Sequence, residues 1–247
     1  MKHHLATCKC KFTFAFAVVS SIFWIFYMPN RSTLAPKQTR SRETLKRLLQ
    51  AAAEILEDKG LEGATIPQIA ARASLSPGAV YRRFRDKDAL MRTLVIETLR
   101  GADKRTEEKF SSDSARQGSF PDMVRTVITT TLQSYRKHTG LLRAFTQFAR
   151  SHPSAAFRRQ ADEIEVRNFR RVADFLLLKR SEIRHPDPEL AVSFALMLVG
   201  LALREMVILD VLSPVWSPLM PKDDQQLAEE LTRTFLKYVE FDDARSS

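Results

Sequence analysis

The stretch "TIPQIAARASLSPGAVYRRF", Thr65 to Phe84, decides how this chain is read. Thr65 and Gln68 form a T-x-x-Q capping box, in which each side chain satisfies a backbone amide of the other residue. Pro67 falls in the first turn, where a missing amide hydrogen costs nothing. The pattern predicts a helix from Ile66 to Ala73. Ser76 followed by Pro77 repeats the cap-and-proline signal, so another helix begins only three residues after the first ends. At about 100° per residue, Val80 and Phe84 share one face of this helix, and Gly78 and Arg82 lie roughly opposite, flanked by Pro77 and Tyr81.

Working outward, Leu45, Leu48, Leu49, Ala52, Ile55 and Leu56 recur at helical spacing. Residues 41 to 59 therefore read as an amphipathic helix that Gly60 ends in a left-handed turn. On the other side Asp86 caps a helix carrying Leu90, Leu94 and Val95. Two short helices joined by a tight turn and resting on a longer one make a helix-turn-helix, whose second helix enters the DNA major groove. Gly78 would let backbone approach base edges, and the Arg82 fork matches the paired acceptors of guanine. Tyr81 and Ser76 suit phosphate oxygens, Lys87 sits at a helix start that attracts phosphate, and Arg83 adds charge. Thr65, Ala79, Arg40 and Arg42 complete the candidate DNA contacts. Residues 72–87 hold Arg72, Arg82, Arg83, Arg85 and Lys87 against one acid, Asp86. An arginine-rich face also suits plain solvation, and the same unit can dock a protein.

The whole chain fits this picture. It has 247 residues, 44% hydrophobic, with seven glycines and a formal net charge of +10. Those values point to an all-α protein with one or two cores and an anionic partner. Cys8 and Cys10, the only cysteines, have no zinc-spaced companions. Residues 12–28, "FTFAFAVVSSIFWIFYM", form a nearly charge-free run with three readings. It suits a signal peptide, a short membrane anchor, or sequence upstream of a true start at Met28.

The segment "RETLKRLLQAAAEILEDKGLEGATIPQIAARASLSPGAVYRRFRDKDAL", Arg42 to Leu90, resembles the N-terminal domain of TetR-type transcriptional regulators. The resemblance rests on Ala52, Ala53, Gly60, Thr65, Ile69, Ala70, Ser76, Gly78, Tyr81, Phe84, Lys87 and Leu90. Ser74 departs from it, since the family usually has glycine in that turn. The resemblance implies a homodimer, a palindromic double-stranded operator and a small-molecule inducer entering the C-terminal domain, with repression released. It also implies a cytoplasmic, nucleoid-associated protein.

The expected organisation is a leader at 1–36, a DNA-binding domain at 37–100 and a ligand-binding and dimerisation domain at 101–247. Helical patterns run at about 120–138, 140–151, 154–180, 187–212 and 223–241. From Leu190 to Leu203 every position but Ser193 and Gly200 is apolar. Such a helix must be buried on all sides, one face in its own domain and the other on a second subunit. Leu190, Phe194 and Leu198, with Leu227, Leu231 and Phe235 of the last helix, are the expected dimer interface; filling a monomer's core is the competing reading. Phe145, Phe148, Phe169, Met197 and Leu201 are candidate ligand linings. "DEIE", Asp162 to Glu165, reads as a solvated, salt-linked face among arginines. His138, His152 and His185 are scattered, so no metal site is expected, nor any cofactor beyond the effector. No P-loop, nucleophile elbow or dinucleotide fingerprint occurs, so the chain is not read as an enzyme. If residues 12–28 are expressed, the alternative is a membrane-anchored DNA-binding receptor.

Overall fold

The structure, a computed structural model, describes residues 36–111, 117–209 and 214–241; the apolar run at 12–28 lies outside them. The described residues are all-α, with no strand beyond an isolated bridge between Ile183 and Phe241. The helices are α1 (Pro36–Gly63), α2 (Ile66–Arg72), α3 (Pro77–Tyr81), α4 (Lys87–Phe110), α5 (Phe120–Lys137), α6 (Thr139–Ser151), α7 (Ala155–Leu176), α8 (Pro188–Leu203) and α9 (Asp224–Tyr238). A 3-10 turn, Leu177–Glu182, extends α7, and a π segment, Arg204–Leu209, extends α8. Together α8 and the π segment make 22 residues long and apolar enough to cross a membrane, yet Ala191, Val192, Ala195, Leu196, Val199 and Leu203 are buried in the protein's own core.

The caps read from the sequence are formed. Thr65 Oγ1 accepts from Gln68 N, Ser76 Oγ from Ala79 N, Asp86 Oδ1 from Ala89 N and Asp187 Oδ1 from Leu190 N. Gly60 takes φ 67°, breaking α1 near its end.

The turn between α2 and α3 is a Schellman closure. Ser74 N donates to Ala71 O at 3.0 Å and Leu75 N to Ala70 O at 2.8 Å, with Ser74 at φ 56°. The turn thus keeps its geometry with a serine in the left-handed region. That conformation costs an L-residue about 1–2 kcal/mol, part of which glycine would give back through its freer unfolded chain. Ser74→Gly is expected to stabilise the protein by about 0.5–1 kcal/mol, raising the melting midpoint in scanning calorimetry by roughly 1–4 °C. An unchanged or lower midpoint would show that Ser74 carries no strain.

Two apolar cores organise the chain. One gathers Leu48, Leu56, Ile69, Val80, Phe84, Leu90 and Leu94 from α1 to α4, together with Leu141, Phe145, Phe157 and Ile164 from α6 and α7. The other gathers α5, α8, α9 and the C-terminal half of α7 around Phe120, Ile128, Tyr135, Leu196 and Phe235. The first core therefore crosses the boundary expected at residue 100, and α4 runs through it to Phe110. α1 lies along α6, and α4 along α7.

Candidate nucleic-acid interface and the clamp behind it

α3 is five residues long and is held by what it buries. Val80 is 0% and Phe84 8% exposed in the first core, whereas Gly78, Tyr81 and Arg82 face outward. The Arg82 guanidinium lies over Gly78, its Nη1 3.9 Å from where a Cβ on Gly78 would stand. Nothing inside the protein opposes a side chain at 78, so the bare backbone there is open to the outside. Pro77, also exposed, and Ala79, partly exposed, extend this surface.

Several expected contacts are partly committed to the fold. Arg83 Nη2 donates to Ser41 O at 3.0 Å and Ser41 Oγ at 2.8 Å. Arg83 thereby ties the start of α1 to the end of α3 and brings the exposed Arg40 and Arg42 to the same side, so it positions other cations as well as adding charge. Lys87 was expected to serve phosphate, but its Nζ donates to Leu61 O at 2.6 Å, bracing the turn between α1 and α2. An ammonium has three donors, so this bond leaves two of them and the charge for another partner. Thr65 and Ser76 use their hydroxyl oxygens as caps. Arg72 pairs with Glu54 at 2.6 Å and Arg85 with Asp86 at 3.1 Å, whereas Arg82 enters none of the ion pairs among the described residues. The Ala89 amide and Arg85 hold the Asp86 carboxyl below the usual range, keeping the α4 cap ionised.

Behind this surface, α6 is gripped at both ends by the α1–α4 unit, which single-sequence reading missed. At its start, Gly140 N and Leu141 N donate to Glu57 Oε1 and Oε2 at 3.0 and 2.9 Å. A carboxylate thus takes two of the helix's orphan amides, where the helix dipole favours it. At its end, His152 Nδ1 accepts from Ser154 N, so Nε2 carries the proton and donates to Asp88 Oδ1 at 2.8 Å. The imidazole is 6% exposed, between the Phe148 and Phe157 rings, and Asp88 also takes Arg92. A movement of α6 therefore acts on α1 and on the first turn of α4, directly beside α3.

The expected ligand linings do not gather into one lining. Phe145 and Phe148 pack in the first core, Phe169 packs against the second, and Met197 and Leu201 are partly buried on α8. The expected interface also divides. Leu190, Phe194 and Leu198 are 58%, 38% and 42% exposed along one stripe of α8. Leu227 and Phe235 are 5% and 1% exposed and belong, with Leu231 packed against them, to the protomer's own core. The α9 stripe thus faces inward, because α5 lies along it, and only Tyr238 of that helix joins the open face, its ring 5.5 Å from that of Phe194. Glu165 is corrected too: it lies on the buried face of α7, 8% exposed, not solvated.

Comparison with known proteins agrees with this geometry. Residues 48–94 match the family model described as bacterial regulatory proteins, tetR family. The Escherichia coli K12 regulator UidR is 33% identical over 60 residues, 24% of this chain and 31% of UidR, so the chain spans about a third of that relative's length in the match. The regulator BetI of Escherichia coli O157:H7 is 26% identical over 196 residues, covering 77% of this chain and 91% of BetI. A Mesorhizobium loti protein assigned to the TetR family superposes with TM-score 0.60 at 20% identity, over 80% of this chain and 97% of that one, and so shares the fold. The matched segment contains the caps and turn around α3, and over it the chain is similar to the tetR family of bacterial regulatory proteins, with the helical architecture behind it shared in fold.

Proposed function

We propose that the protein is a DNA-binding transcriptional regulator, acting in the cytoplasm as a homodimer on a palindromic operator and, as a repressor, released by a small molecule. Residues 37–100 carry the DNA surface, and 101–247 the effector site and the dimer contact. The observation that carries this reading is α3, with Gly78 and Arg82 bare on the outside and Val80 and Phe84 locked inside. The two α3 helices of a dimer must match half-sites about 34–36 Å apart. An effector changes that spacing only as far as it binds one arrangement better than the other. The grip of Glu57 and Asp88 on α6 supplies the mechanical route. The open stripe Leu190, Phe194 and Leu198 supports the two-fold contact.

Selection of bound fragments from random DNA, followed by sequencing, tests the reading; a two-fold symmetric consensus is expected, and no enrichment would overturn it. On that consensus, Arg82→Ala is expected to weaken binding by about 1–3 kcal/mol and relax discrimination at one base pair per half-site. Gly78→Ala makes the companion variant. Its helix gains about 0.5–1 kcal/mol of stability while the added methyl obstructs the approach to DNA, so stability and affinity should move in opposite directions. An Arg82→Ala loss equal on consensus and random DNA would reduce Arg82 to a phosphate contact.

A further inference from the structure

Buried polar groups in the C-terminal half have no account in the fold. Glu165 on α7 is 8% exposed and its Oε2 has no hydrogen-bond partner; Tyr135 on α5 is 0% exposed and its hydroxyl has none. Ser134 Oγ on α5 and Thr146 Oγ1 on α6 share that condition. Leaving such a group unsatisfied costs of order 1–3 kcal/mol, more when it is charged, and native interiors hold few of them. α5 packs on both α6 and α7, and the π segment Arg204–Leu209 packs on α5 and α6, with Arg143 Nε donating to Ile208 O at 2.9 Å. π turns occur disproportionately at functional sites. Here the π segment begins at Arg204, which lies in range of Tyr135.

The charges around this region are unequal. Asp162 lies close enough to act on Glu165, and Glu165 close enough to act on Tyr135. The cation in range of Tyr135, Arg204, directs its Nε and Nη2 to Glu205 at 3.2 and 2.7 Å. Asp162 and Tyr135 are thus groups in range of the buried acid, and the cation in range of Tyr135 is already paired with Glu205. An anion would find the cation in range already paired with Glu205, and an alkane would leave every polar group unsatisfied. A primary ammonium donates up to three hydrogen bonds, neutralises the carboxylate and can lie against the Tyr135 ring.

We propose that Glu165 and Tyr135 anchor the effector, and that the effector is a small organic cation bearing an ammonium group. The proposal rests on the reading of the protein as a ligand-responsive regulator and names the chemistry of its ligand. Burial and Asp162 push the Glu165 carboxyl well above its ordinary range. An ammonium against it works the other way and favours the carboxylate.

The test uses the full chain without DNA, so that it stands apart from operator recognition. Three probes of equal length differ in charge: n-butylammonium, n-butanol and butyrate. Thermal shift and titration calorimetry should show stabilisation by n-butylammonium. Butanol and butyrate should have little effect. Glu165→Gln should retain or raise the unliganded midpoint, because it removes a buried acid, and weaken n-butylammonium roughly ten- to hundredfold. Tyr135→Phe should weaken it less and leave the charge preference intact. Equal responses to the three probes, no response to n-butylammonium, or undiminished binding by a folded Glu165→Gln would each overturn the proposal. Loss of DNA binding with an intact ammonium response would sink the regulator reading alone.

Discussion

Gly140→Ala is expected to lower the melting midpoint of the full chain by roughly 6–12 °C, from a loss of about 3 kcal/mol. A helical glycine exchanged for alanine ordinarily gains about 1 kcal/mol, so the sign itself is diagnostic. The reason is contact between backbones. A Cβ at position 140 would overlap the carbonyl oxygen of Glu57, with Glu57 C at 3.0 Å and Cα at 3.1 Å. No side-chain rotamer relieves that, so α1 and α6 must separate, and the Gly140 and Leu141 amides then lose their carboxylate. Hydrogen bonds to a charged partner contribute about 1.5–3 kcal/mol each. Glu57→Gln separates the two effects: it keeps the shape and weakens the acceptors, so its midpoint should fall by less. A stable Gly140→Ala protein would mean that α1 and α6 are not in contact in solution. If the proposed effector acts through this joint, Gly140→Ala should also blunt any effector response that survives.

What the sequence made readable is what is local. The caps at Thr65, Ser76, Asp86 and Asp187 are set by residues within one turn, and each is formed. The outward face of α3 followed from phase alone, since Val80 and Phe84 fix which side is buried. Partners distant in sequence were not readable. Arg83 reaches Ser41, Lys87 reaches Leu61 and Glu57 reaches Gly140, and no spacing rule connects those pairs. An amphipathic stripe says that Leu227 and Phe235 are buried, not against what, and α5 proved to be the answer. Glu165 had a signal that was overlooked. Phe157, Ala161, Ile164, Asn168 and Val172 mark the buried face of α7, and position 165 falls at its edge, three residues before Asn168 and seven before Val172. Neighbouring arginines made it look solvated, but helical phase outweighs composition.

Leu198→Glu is expected to convert the proposed dimer to a monomer while leaving the protomer folded. Leu190, Phe194 and Leu198 recur every four residues, so they form one stripe along α8, extended by Tyr238 from α9. The opposite face of α8, with Ala191, Leu196, Val199 and Leu203, is already sealed in the protomer's core, so the open stripe is what a second copy would cover. Leu198 is 42% exposed in the protomer, so a glutamate there is solvated in the monomer and the midpoint at low concentration should barely move. In a two-fold contact the substitution occurs twice. Each carboxylate would be taken out of water without a partner, at a cost of about 3–5 kcal/mol, which weakens association by at least a hundredfold per charge. Analytical ultracentrifugation should show the shift in mass. Gel-shift titration should show operator affinity collapsing toward that of a single half-site, with α3 and its Arg82 untouched. A Leu198→Glu protein that stays dimeric would place the subunit contact elsewhere, and the spacing of the two α3 helices would then have to be set by another face.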